Sequence, residues 1–150
     1  MRKQQTTWIV IADGSRARIF SHRSGEQGLA AVRELDDPQA RQPARNLVSS
    51  GPGRSQESAN AAHHSIEPKH DPHQEAEYAF LRRLAGSIAA DAAGTSFNRL
   101  VIAAPPRAMG VLRRELAPAA RAKLVAEITK DLTKTPIAEL PAHFADVLRV

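Results

Sequence analysis

The side chains best able to do chemistry in this chain crowd into one polar run, Asp36 to His73. It holds half of the prolines, four of the six histidines and few large apolar residues. Its basic residues are Arg41, Arg45, Arg54 and Lys69, with Gly51 and Gly53 as punctuation. Arginines on a glycine-punctuated segment suit phosphate contacts, because the guanidinium fork matches phosphate geometry and the backbone folds around its ligand. Arg41, Arg45, Gly53, Arg54, Gln56 and Lys69 are therefore the candidate contacts to RNA or to the ribosome.

Two further constellations carry possible chemistry. His63, His64, His70 and His73 lie near Glu67 and Asp71, which are zinc-ligand residue types. Their spacing matches no standard site and offers no i, i+4 histidine pair, so no metal or other cofactor is expected. Asp13, Arg107, Lys130 and Asp131 each follow an apolar run. If those runs are parallel strands, the four residues meet at one sheet edge, where α/β proteins bind ligands. Two carboxylates there could hold a cation, but Asp13 before Gly14 and Asp131 before Leu132 also suit plain turns. Ser58 and Ser65 neighbour histidines, yet no Gly-x-Ser-x-Gly elbow presents a nucleophile.

The elements that must position these residues are written in the apolar pattern. The chain has 150 residues, enough for one domain with a real core. Aromatic residues are only 4%, so the core rests on Leu, Ile, Val and Ala. Trp8–Ala12 and Leu100–Ala104 read as strands buried on both faces. Asp13-Gly14 marks a hairpin turn into Ala17–Ser21, and Leu29–Leu35 gives a third strand. After the polar run, Asp71-Pro72 signals a helix start, with Gln74 three residues after the cap. Phe80, Leu81, Leu84, Ala85 and Ile88 form its apolar stripe, with Arg82 and Arg83 outside it. Asp91 marks the expected end of the packed part, and Gly94 the cap. Pro105-Pro106 opens a helix with Met109, Leu112 and Leu116 inward. Pro118 restarts it, and Leu124–Thr129 is the last strand. Thr135-Pro136 opens a closing helical segment carrying Ile137, Leu140, Phe144, Val147 and Leu148, interrupted at Pro141.

The fold class expected is α/β: one domain over residues 1–150, with a mixed sheet of about five strands flanked by helices. The run 36–73 would be a flexible loop after the third strand.

Net charge and composition narrow the function. A net charge of +5 and pI ≈ 10.2 favour an anionic partner, although the same excess also serves solubility. Cysteine is absent, which excludes disulfide and thiolate chemistry. The Trp8–Ala12 run is too short for a signal peptide and no segment has membrane-span length, so a cytoplasmic protein without a membrane partner is expected.

Several ordered motifs resemble the bacterial host-attachment family, the proteins required for attachment to host cells. They are Thr7–Gly14 with Ala17–Phe20, Asp71-Pro72-His73, Leu100–Arg107 with Gly110 and Leu112-Arg113, and Lys130–Thr133. That family in turn resembles the middle domain of archaeal and eukaryotic peptide-chain release factors. The resemblance implies a long loop after the third strand, which in release factors carries a Gly-Gly-Gln tripeptide that helps water cleave peptidyl-tRNA. Here the matching stretch is Gly53-Arg54-Ser55-Gln56, so Gln56 is the one catalytic candidate. Arg54 and Ser55 replace the two glycines, which restricts the backbone that must approach the ester. The reading is therefore a non-enzymatic binding protein of ribosome or RNA. The alternatives are an interaction factor linked to cell attachment and a peptidyl-tRNA or ester hydrolase.

Overall fold

The computed structural model describes residues 4–41 and 71–148. Five strands form one mixed sheet in the order β3-β2-β1-β4-β5. They are β1 (Thr6–Ala12), β2 (Arg16–Arg23), β3 (Ala30–Asp36), β4 (Arg99–Ala103) and β5 (Leu124–Ile128). β1 pairs antiparallel with β2 and parallel with β4; β4 and β5 are parallel. The expected α/β class and mixed sheet are therefore present.

β1 lies at the centre because its side chains tolerate burial on both faces. Trp8, Val10 and Ala12 point to one face; Ile9 and Ile11 point to the other. All five are at most 5% exposed. β4 repeats the pattern, with Leu100 and Ile102 on the first face and Val101 and Ala103 on the second. Strands that are apolar at every position need cover on both sides.

The first face is covered by α2 (Pro72–Ala92) and α3 (Pro106–Glu115), followed by the short α4 (Pro118–Arg121). Asp71 caps α2 through its carboxylate, which accepts from the His73 backbone N–H at 2.9 Å. Phe80, Leu81, Leu84, Ala85 and Ile88 are all buried, as their spacing requires. The packed part does not stop at Asp91 as expected. Asp91 instead receives Arg33 of β3 at 2.7 Å, and Ala92 beyond it is 3% exposed. A pairing partner lets the carboxylate sit on the packed side. Nor does Gly94 end α2 in the left-handed conformation; only Gly25 and Gly28 have positive φ among the described residues. The Lys123 ammonium closes that end, donating to the carbonyls of Ala92, Gly94 and Phe97.

The second face is covered by residues 132–148, in a 3₁₀ turn (Ile137–Glu139) and two single helical turns, α5 (Leu140–His143) and α6 (Ala145–Leu148). Leu132, Leu140, Phe144 and Leu148 pack on it. Ile137, expected with them, is 45% exposed, because the tight 3₁₀ turn carries it away from the sheet.

The polar run also needs correction at its start. Asp36 closes β3, and Pro38–Arg41 forms one helical turn, α1. The Asp37 carboxylate sets that turn by accepting from the Gln39 and Ala40 backbone N–H groups, and Ala40 is 1% exposed. Arg83 of α2 donates to the same carboxylate at 2.8 Å and holds its pKa below the ordinary 3.8.

Candidate functional site

The chain topology gathers several elements at the carboxyl edge of the parallel strands. β1 ends at Ala12, just before Asp13, and β4 ends at Ala103, before Ala104-Pro105 and α3. α2 runs back from this edge towards the opposite one, so α2 and α3 both begin here. Between them lies a cavity of ≈ 350 Å³. Arg41 lines it from α1, Gly14 and Ser15 from the β1–β2 turn, His73, Glu77 and Tyr78 from α2, and Arg107 from α3.

The β1–β2 turn is built by a side chain. Asp13 Oδ1 accepts from the Ser15 N–H at 2.8 Å and the Arg16 N–H at 2.9 Å. Gly14 has no positive φ, so its backbone conformation alone does not demand glycine. Space is tight instead: a Cβ at Gly14 would lie 2.5 Å from the Glu77 carboxyl, the far end of a flexible side chain that would have to shift. Glu77 is thereby held between the turn and His73, whose Nε2 lies 3.5 Å from Glu77 Oε2, one helical turn earlier.

Of the residues expected at one sheet edge, Asp13 and Arg107 line the cavity, and Asp13 also meets Asp131. Arg107 lines the cavity on the α2–α3 face. Asp13 and Asp131 meet around Thr133, whose hydroxyl is 2.5 Å from Asp131 Oδ1 and 3.3 Å from Asp13 Oδ2. Asp131 also accepts the Thr133 N–H at 3.0 Å, so both aspartates form turns. The hydroxyl occupies the space between them. Among the described residues no group of three or more His, Asp or Glu is arranged to hold a metal ion. Lys130 is exposed, and its N–H closes a turn onto the Ile128 carbonyl. Arg41 stands on the cavity rim, ion-paired with Asp36. Arg45, Gly53, Arg54, Gln56 and Lys69 lie outside the described residues, as do His63, His64 and His70 of the histidine group.

Glu77, Tyr78 and Thr133 were not singled out from the sequence. The i, i+4 spacing of His73 and Glu77 was readable there. Thr133 acquires its role only when β5 is laid beside β4 and β1. The Tyr78 hydroxyl donates to Glu115 Oε2 at 2.8 Å, which raises the pKa of the phenol and keeps it neutral. On the far side of α3, the Arg113 guanidinium holds the Glu127 carboxyl below the ordinary 4.5 through a two-pronged contact.

A family model described as protein required for attachment to host cells matches residues 8–144. The chain belongs to that family. The matched span runs from the centre of β1 to Phe144 and includes every residue of the cavity. Membership thus covers the sheet, both of its covering layers and the carboxyl-edge site together. No curated protein matches the sequence. No described helix of this family member is long and apolar enough to cross a membrane.

Proposed function

We propose that this host-attachment family member is a non-enzymatic binding protein, and that it contacts RNA or the ribosome at its carboxyl edge. One observation carries the reading. Arg41 and Arg107 both line the cavity, and the chain leaves the described body after Arg41 and rejoins it at Asp71, on the same rim. In the sequence Arg45, Arg54 and Lys69 fall between Arg41 and Asp71.

The electrostatics agree. The net charge is +5, and the first turns of α2 and α3 present their positive dipole ends at this edge. The nearby carboxylates are already engaged, Asp13 by its own turn and Glu77 by His73. The likeness of the motifs to release-factor middle domains supports the ribosomal form of the reading. The absence of a glycine pair before Gln56 supports binding over hydrolysis.

Sedimentation of the full chain in lysate, at several salt concentrations, tests it. The protein is expected to co-migrate with ribosomal particles, and Arg41→Ala/Arg45→Ala/Arg54→Ala to remain near the top of the gradient. Free migration of the unaltered protein at low salt would overturn the reading. Turnover of peptidyl-tRNA that disappears in Gln56→Ala would replace it with the hydrolase alternative.

A further inference from the structure

A second concavity of ≈ 550 Å³ continues from the carboxyl-edge cavity along the seam between α2 and α3. Gln74, Glu75 and Tyr78 of α2 line one wall; Arg107, Val111 and Arg114 of α3 line the other. Tyr78, Arg107 and Val111 belong to both spaces, so the seam and the cavity form one groove.

Two features of this groove bear on what it could bind. Most described arginines are engaged. Arg18, Arg33, Arg83, Arg99, Arg113 and Arg121, for example, all donate to carboxylates or carbonyls. Arg107 and Arg114, by contrast, are exposed, and neither donates a hydrogen bond nor joins an ion pair with a described residue. They lie seven residues apart on α3, about 10 Å along the axis and on one face. The second feature is Tyr78, the chain's single tyrosine, which is 39% exposed in the groove. Its hydroxyl is fixed by Glu115, and the Arg82 guanidinium sits 5.5 Å from its ring centroid. The ring is thus held in one orientation before any ligand arrives.

We infer that this groove is a track for single-stranded nucleic acid, with one base stacked on Tyr78 and flanking phosphates held by Arg107 and Arg114. The inference rests on the nucleic-acid reading of the carboxyl edge and names the surface and the strand form. Charge complementarity favours a polyanion: two unengaged guanidiniums outweigh the single carboxylate of Glu75 in the wall. The preset ring favours a strand with unpaired bases, because stacking needs a free base face. A duplex hides its bases, and an acidic peptide has none. Both would leave Tyr78 unused.

The test is anisotropy of a fluorescein-labelled oligouridylate titrated with the full chain over a range of salt. Tyr78→Ala is expected to weaken binding about tenfold and Tyr78→Phe to recover it, while an abasic strand of equal charge feels neither change. Arg107→Ala/Arg114→Ala is expected to lower the slope of log affinity against log salt by about 1.4, the value for two phosphates of a single strand. Circular dichroism melts confirm that each variant is folded. Equal affinity for a duplex or a polyglutamate peptide would overturn the inference. So would groove variants that bind like the unaltered protein while Arg41→Ala/Arg45→Ala/Arg54→Ala fails, and in that case the carboxyl-edge reading stands. No binding of any strand by the unaltered protein would remove both.

Discussion

The two faces of the sheet are covered by different means. On one face α2 spans 21 residues and brings Phe80, Leu81, Leu84, Ala85, Ile88 and Ala92 to the strands from a single element. Its own ladder satisfies most of its backbone, Lys123 closes its last carbonyls, and its apolar stripe provides most of the packing. On the other face residues 132–148 form only single helical turns, with four buried large apolar side chains among them. Short turns leave many carbonyls without intrahelical partners. The sheet supplies the missing donors. Arg18 of β2 reaches the carbonyls of Leu132, Thr133 and Thr135, and Arg99 of β4 reaches that of Val147. Both covers receive a strand guanidinium, Arg33 of β3 reaching Ser87 and Asp91 of α2. But α2 adds a long apolar stripe, whereas the second cover relies on Arg18 and Arg99 for its backbone carbonyls.

Substitutions on each face can break this contrast. Phe80→Ala should have the largest effect, a loss of about 4 kcal/mol in stability by denaturant titration. It should lower the whole cooperative transition, because α2 carries the larger of the two cores. Arg18→Ala should cost less, roughly 2 kcal/mol, since it leaves three partly buried carbonyls without their donor. Its signature should be local. Amide hydrogen exchange should rise across 132–148 while β1 and β4 stay protected. Uniform loss of protection in both variants would show that the two covers unfold as one unit.

Acid gives the smallest and most diagnostic effect. Asp37 and Glu127 have carboxyls held below 3.8 and 4.5 by Arg83 and Arg113. A lowered folded pKa contributes stability that is full above those ordinary values and is lost as pH falls through the folded ones. Both arginines are more than half exposed, so solvent screens both pairs and the effect is small. Against Asp37→Asn/Glu127→Gln, the unaltered protein should keep a constant advantage in thermal melts from neutral pH down to about 4.5 and lose it below. Because Asp37 and Glu127 anchor to α2 and α3, the loss should leave exchange at 132–148 unchanged.

Much of this fold was legible because its strongest signals are local. Trp8–Ala12 and Leu100–Ala104 are apolar at every position, which only a doubly covered strand explains. The Phe80, Leu84, Ile88 stripe and the Asp71-Pro72 start fixed α2 from within its own residues. Errors fell where a distant partner decided. Asp91 looked like the end of packing because Arg33 lies 58 residues away in sequence. Gly94 looked like the cap because nothing nearby announced Lys123.

The candidate site divides the same way. The sequence by itself determined that Asp13, Arg107, Lys130 and Asp131 follow strands, since residue type and apolar runs need no third dimension. It also determined that Arg41, Arg45, Arg54 and Lys69 fall within the polar 36–73 run. Only the tertiary structure decided that Asp13 and Asp131 share Thr133, that Gly14 faces the Glu77 carboxyl, and that Arg107 and Arg114 stand unengaged beside an exposed Tyr78. Such facts depend on which strands are neighbours and which helices start at the same edge. Neighbour order is set by burial of both sheet faces at once, a property of the whole chain that no local window of residues contains.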